Sequence, residues 1–293
     1  GTIAIGLNQT LSTHVLSGLS DPDTDFIQQL ESLSQEHPFG DTLFVVVDGF
    51  GLRISALFQD LYEIFGLSHA FLGGGAGSLR LTRQPCVYTN QGLLEDVALL
   101  VDFPFIKSIA IEHGWEAMAG PFVVTSAQNT TVEAIDFSPA FDVYRSVVET
   151  SEPVNFDTTE FFDIAKNFPV GMTRYGGDFV VRDALSTDHG AIHFVGEIPE
   201  NQEIYILKGN KRLLIEAASR CAHAASEADQ SPIMSLTFDC VSRWLYLQND
   251  FQTEIDSIAA EFPSNCTNIG VLCAGEIAGN GQSALEFHNK TVT

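Results

Sequence analysis

The order strand, helix, strand, helix, strand, turn, strand occurs twice in this chain, over residues 2–90 and again over 203–291. Apolar residues at every second position mark half-buried strands, and apolar residues three and four apart mark a helix. The first copy reads as strands over 2–7, 41–47, 68–72 and 85–89, with helices around 14–19, 24–36 and 53–65. The second reads as strands over 203–207, 232–238, 268–272 and 284–289, with helices over 211–228 and 242–262. Strands joined through one helix pair in parallel with a right-handed crossover in nearly every case. The strands over 41–47 and 68–72 are therefore predicted to be parallel neighbours, as are those over 232–238 and 268–272.

The doubling extends to residues. Asp48-Gly49 and Asp239-Cys240 each end a strand and open a helix. Leu72 and Gly75 stand 200 positions before Leu272 and Gly275, which sets Ala76 against Glu276 and Tyr88 against His288. The glycine cluster Gly73-Gly74-Gly75-Ala76-Gly77 reads as a tight backbone turn, because it runs into a strand and no helix N-terminus follows to hold a phosphate. Between the copies, strands over 93–103, 107–112, 121–127, 131–135, 178–184 and 191–196 accompany helices over 138–149 and 158–168. Pro153 lies in the stretch most suited to a boundary. The expectation is a mixed α/β (α+β) fold of two related halves with mixed sheets, divided into domains at 1–155 and 156–293.

Charge and cysteine content narrow the function. Fourteen Lys and Arg against 38 Asp and Glu give a net charge of −24, a field that repels nucleic acid and anionic membrane surfaces. No apolar run approaches the roughly 18 residues of a membrane span. Five cysteines with no CxxC pair indicate neither a disulfide framework nor a structural zinc site. Free thiols and a cytoplasmic location are expected.

Several short motifs, in order along the chain, resemble the FIST family. The N-terminal half is similar to a FIST N domain in Leu72-Gly73-Gly74-Gly75-Ala76-Gly77, Glu112-His113-Gly114-Trp115, Val124-Thr125 and Ile135-Asp136-Phe137-Ser138-Pro139-Ala140. The C-terminal half resembles a FIST C domain in Val181-Arg182-Asp183, Asp239-Cys240-Val241-Ser242-Arg243, Ala274-Gly275-Glu276-Ile277 and His288-Asn289-Lys290-Thr291. FIST N domains carry a further strand–helix segment ahead of the point matching Gly1, so a preceding segment is expected. The resemblance implies a non-enzymatic sensory module that binds a small, amino-acid-like ligand. It also implies a separate signalling partner such as a histidine kinase. A branch of the family binds haem and senses nitric oxide, which makes a haem sensor the alternative within the binding class.

The candidate ligand-binding residues are Cys240, Arg243, Gly275, Glu276, His113, Trp115 and His288. Cys240 lies where a strand meets a helix, and the helix dipole with Arg243 one turn on would lower its thiol pKa. That feature carries the enzyme alternative, a thiol chemistry at Cys240. Gly275-Glu276 stands at the carboxyl end of a predicted parallel strand, where open α/β sheets bind ligands. Arg243 would hold a ligand carboxylate and Glu276 an ammonium, with Trp115 beside them; the simpler reading is that Arg243 and Glu276 pair with each other. His113 and His288 are the histidines a haem iron would use. No haem-attachment motif occurs and cations for the propionates are few, so the chain is expected to purify without haem.

Overall fold

The computed structural model describes residues 6–8, 10–36, 39–78, 83–104, 108–174, 179–228, 231–279 and 285–293. The first half runs β1 (Thr13–Ser17), α1 (Phe26–Glu36), β2 (Thr42–Asp48), α2 (Ile54–Phe65), β3 (Ala70–Ala76), the ribbon of β4 (Val87–Thr89) and β5 (Gly92–Leu94), and β6 (Val97–Asp102). Strands β2 and β3 are parallel, pairing Thr42 with Ala70 through Asp48 with Ala76. The apolar alternation of β2 points Leu43, Val45 and Val47 into one core with Leu30 of α1 and Leu57 and Leu61 of α2. Phe44, on its other face, packs against Phe238 from the second half, 5.7 Å between ring centroids.

An antiparallel insertion follows. It contains β7 (Glu116–Gln128), β8 (Thr131–Ile135), β9 (Ser138–Pro139), α3 (Ala140–Ser151), α4 (Phe161–Ala165), β10 (Val170–Thr173), β11 (Phe179–Arg182), β12 (Ala184–Asp188), β13 (Ala191–Phe194) and β14 (Glu203–Lys208). Its sheet has the order β11-β10-β14-β7-β8-β13-β12, with β9 beside β8. The chain then forms α5 (Lys211–Glu227), β15 (Met234–Cys240), α6 (Val241–Leu247), α7 (Phe251–Ala260), β16 (Thr267–Cys273), β17 (Glu276–Gly279) and β18 (Glu286–His288). Strands β15 and β16 are parallel, ending with Cys240 opposite Cys273. Both parallel pairs are thus as the helical spacing predicts.

The duplication expected over 2–90 and 203–291 does not hold at those bounds, because β14 joins the insertion's sheet and not that of β15 and β16. The first sheet reads β1-β6-β2-β3-β17-β18. In the second half Val292 bridges antiparallel to both Asp239 and Glu112, so the order is Glu112, 291–293, β15, β16. Edge, antiparallel neighbour and parallel pair therefore recur. The counterpart of β1 is the stretch around Glu112, whereas β14 pairs with β10 and β7 inside the insertion. The strand predicted over 2–7 lies largely outside the described residues.

Register also corrects the residue matching. Asp48 stands opposite Ala76, but Asp239 stands opposite Leu272, so Ala76 corresponds to Leu272 and not to Glu276. Glu276 instead begins β17, which pairs antiparallel with β3 and carries the second half into the first sheet. Three local expectations also change. Residues 13–17 form a strand with His14 and Leu16 buried, in place of a helix. The helix predicted over 242–262 breaks at Gln248, whose φ is 53°. The glycines 73–75 lie within β3, because the neighbouring backbone is too close for side chains; a Cβ on Gly75 would stand 2.9 Å from the Cα of Gly49.

Candidate functional site

The carboxyl ends of the two parallel pairs do converge, and backbone fills the junction. Gly75 N–H donates to the Gly275 carbonyl at 2.8 Å, and Ala274 N–H to the Gly75 carbonyl at 2.8 Å. Gly275 has a φ of 102°, and its α-carbon lies against the Phe287 ring with no room for a side chain. The space left beside them, lined by Phe50, Asp183, Cys240, Ser242, Gly275 and Asn289 among others, is about 20 Å³, about enough for one water molecule.

Around this junction lies a dry polar centre, and all seven sequence-selected residues surround it. Arg243, 0% exposed, is held by its whole guanidinium. Its Nε donates to Glu254 Oε1 at 3.2 Å, Nη1 to the carbonyls of His113 at 2.6 Å and Lys290 at 3.3 Å, and Nη2 to the Leu214 carbonyl at 3.0 Å and to Glu254 Oε2. Five donors are thereby used, which leaves none for a ligand carboxylate. Arg243 is an internal tie, and its acidic partners are Glu254 and, 3.5 Å from Nε, Asp239, rather than Glu276.

Glu276 is equally enclosed. Its Oε2 accepts Thr291 N–H at 3.1 Å and Thr291 Oγ1–H at 2.7 Å, and its Oε1 accepts the Cys273 thiol at 3.2 Å. Burial pushes its pKa up to about 7, while the bonds from Thr291 and Cys273 pull it back. Burial thus favours the protonated carboxyl relative to an exposed glutamate. Cys240 also reverses its expectation. It caps α6 without a side-chain hydrogen bond, and burial, then the nearby Glu276 and Asp183 charges, push its pKa well above the usual thiol value. A helix of seven residues cannot offset that loss of solvation, and a protonated, buried thiol is a poor nucleophile. All five cysteines are free.

The closing stretch 287–291 links these groups. Lys290 Nζ pairs with Asp183 Oδ1 at 3.0 Å, donates to the Lys166 carbonyl at 2.9 Å and stands 5.0 Å from the Trp115 ring. Asp183 Oδ2 accepts from Ser242. Trp115 Nε1–H donates to the Lys290 carbonyl at 2.9 Å, so Trp115 supports the buried lysine rather than a ligand. His113 Nδ1 accepts Trp115 N–H at 2.9 Å, which places its ring proton on Nε2. His288 has its pKa lowered to about 3, chiefly by burial and then by the Arg182 guanidinium. A haem iron needs an imidazole lone pair aimed into an open space. His113 commits Nδ1 to the Trp115 N–H, so in this arrangement that nitrogen is not offered to a haem iron.

Asp183, Glu254, Lys290 and Thr291 are not among the residues selected from sequence, although Asp183, Lys290 and Thr291 lie inside motifs that carry the family resemblance. Asp183 and Lys290 meet across more than a hundred residues, whereas Glu254 and Thr291 reach Arg243 and Glu276 over 11 and 15 positions. A second feature left no sequence signal at all. A cavity of about 780 Å³ opens beside the amino-terminal half of β15, between α5, α7 and residues 292–293. Its apolar lining includes Ala222, Leu236, Ile258, Phe262 and Val292, and its polar lining Ser108, Ser231, Ser235, Thr237, Thr267 and Thr293. No charged side chain is among the described lining residues, and the buried Thr293 hydroxyl has no hydrogen-bond partner. Among the described residues no helix is long and apolar enough to cross a membrane.

No curated protein matches the chain. Residues 2–137 match the FIST N domain and residues 140–279 the FIST C domain. With its two matches in this order covering nearly its whole length, the chain belongs to the FIST domain family.

Proposed function

We propose that this chain is a sensory protein whose small ligand occupies the 780 Å³ cavity, and that occupancy is passed through the closing strand to a separate signalling protein. FIST domains are small-ligand sensory domains of signal transduction, and a non-enzymatic role accords with that family. The observation that carries the assignment is the contrast in volume: about 780 Å³ beside β15 against about 20 Å³ at the polar centre. Ligand pockets of drug-sized molecules run from about 300 to 1,000 Å³ and combine an apolar wall with a few placed polar groups.

The lining favours an uncharged, largely apolar ligand bearing one or two hydrogen-bonding groups. An amino-acid-like zwitterion would bring two charges to described walls that offer none, at a cost of several kcal/mol without partners. Val292 and Thr293 line the cavity, while Thr291 holds Glu276 and Lys290 holds Asp183. A ligand that presses on or straightens 292–293 thus biases the polar centre two residues away, the population shift a sensor needs. The signalling protein that receives it, a histidine kinase in the reading from resemblance, is the finer part of the proposal.

The test is a thermal-shift screen with three panels: neutral apolar alcohols and phenols, amino acids, and anions. A compound at 100 times its Kd stabilises by about 2.7 kcal/mol. Only the neutral panel should raise Tm, and Ala222→Phe, which fills the cavity from α5, should abolish the rise. Stabilisation confined to amino acids, or unaffected by Ala222→Phe, rejects the site.

A further inference from the structure

A two-residue loop joins β8 to β9, with Ile135 opposite Ser138 and only Asp136 and Phe137 between them. Both loop residues have positive φ, 47° and 62°, the signature of a type I′ turn, which favours Asn or Asp followed by Gly. Asp136 suits its place. Phe137 does not: a bulky side chain at positive φ is a backbone outlier, and sites of stored strain concentrate where structure serves function. The ring recovers nothing by packing, since Phe137 is 91% exposed. The turn beneath it is nonetheless fixed. Phe137 N–H donates to Thr125 Oγ1 at 3.0 Å, Asp136 N–H to the Val123 carbonyl at 2.9 Å, and Val123 N–H to Asp136 Oδ1 at 2.9 Å. A glycine would serve the turn better, so the ring is held out for contact with something else.

Its surroundings indicate what. Val123, 41% exposed, adds apolar surface on β7. Carboxylates flank it: Asp136 in the turn, Glu203 paired with Val123, Glu133 bonded to Ser126 and Glu200 bonded to Ala127. We propose that Phe137 is the anchor of a docking surface for a separate protein that offers an apolar pocket edged by lysine and arginine. Buried aromatic anchors dominate interface energies, and rim charges set partner choice and association rate. A second copy fits poorly, because it would bring like rims together on a chain of net charge −24. An anionic membrane is opposed by the same charge. The surface uses no cavity residue, so it stands whether or not the cavity binds a ligand.

The test has two arms. Phe137→Gly and Phe137→Asn both relieve the turn and remove the ring, and each should raise Tm by about 2 °C, the shift that relief of one strained residue gives in a chain of this size. In the second arm, Phe137→benzoylphenylalanine is irradiated in cells that make this protein, with Tyr88→benzoylphenylalanine as the exposed control (Tyr88 is 79% exposed). Position 137 should give a discrete adduct that position 88 lacks. The cross-linked peptide, synthesised, should carry Lys or Arg beside apolar residues. It should bind the purified protein at least tenfold more tightly than it binds Phe137→Gly, and more weakly as salt rises. A fall in Tm in both variants, no discrete adduct, an adduct of twice the chain mass, an acidic peptide, or equal affinity for Phe137→Gly overturns the proposal.

Discussion

Glu276→Gln isolates the most sharply defined charge in the polar centre. The folded carboxyl titrates at about 7 against an ordinary value of 4.5, so folding holds a proton that the unfolded chain releases between these values. The sign follows directly: the favourable term is complete below pH 4.5 and is lost as pH rises through about 7. A difference of 7 − 4.5 = 2.5 units at 1.36 kcal/mol per unit corresponds to about 3 kcal/mol. Glutamine reproduces the protonated form, and its carbonyl can still accept the two Thr291 donors. Asp239, raised well above the usual range chiefly by burial, adds a term of the same sign. His288, lowered to about 3, adds one of opposite sign, present above pH 6.5 and lost on acidification. The raw pH profile therefore mixes several groups, and the difference between wild type and Glu276→Gln separates one. Urea unfolding followed by circular dichroism at half-unit steps from pH 4 to 8 measures it. The variant should gain on wild type by about 3 kcal/mol between pH 4.5 and 7.5. Parallel profiles would refute the claim that burial raises the pKa of Glu276.

Three further outcomes follow from the same geometry. Glu254→Ala leaves Arg243 buried without its two-pronged partner and should cost about 3–5 kcal/mol in denaturant unfolding. Gly49→Ala would place a Cβ 2.6 Å from the Ala274 carbonyl oxygen, and the forced backbone shift should lower stability by about 1–3 kcal/mol, read as a drop in Tm. Four cysteines are buried, and Cys86 has its pKa pushed up to about 12 by burial and by Asp48. A chromogenic disulfide reagent at pH 8 should therefore react slowly with native protein and with all five thiols after unfolding; a fast native thiol would revive nucleophilic chemistry.

The parallel pairs were legible because their signals are local: Val45-Val46-Val47 reads as a strand, and one helix's worth of residues separates each pair. β1 was not, since His14 and Leu16 alternate over only five residues, too few to distinguish from a short helix. The glycines 73–75 were read as a turn because their purpose, admitting Ala274 and Gly275 from two hundred residues away, is invisible locally. Duplication suggested an equivalence of Ala76 and Glu276 that strand register does not keep. The polar centre was half legible. Arg243 and Glu276 stood out as charged residues in apolar surroundings, and sequence spacing invited their pairing with a ligand or with each other. Glu254 sits in an unremarkable helical context, and Thr291, though inside a motif of the resemblance, carries no sign that it holds Glu276. The cavity is lined by alanine, leucine, serine and threonine, types that carry no chemical mark until the fold gathers them around a space.

The central claim is where the ligand sits. The most direct measurement is a crystal structure of the protein grown with a neutral compound that raises its Tm. The account predicts density enclosed by α5, α7, the first residues of β15 and 292–293, with a hydroxyl of the compound within hydrogen-bonding distance of Thr293 Oγ1. Density instead at the junction of Gly75, Gly275 and Glu276, with that junction opened to admit it, would contradict the assignment.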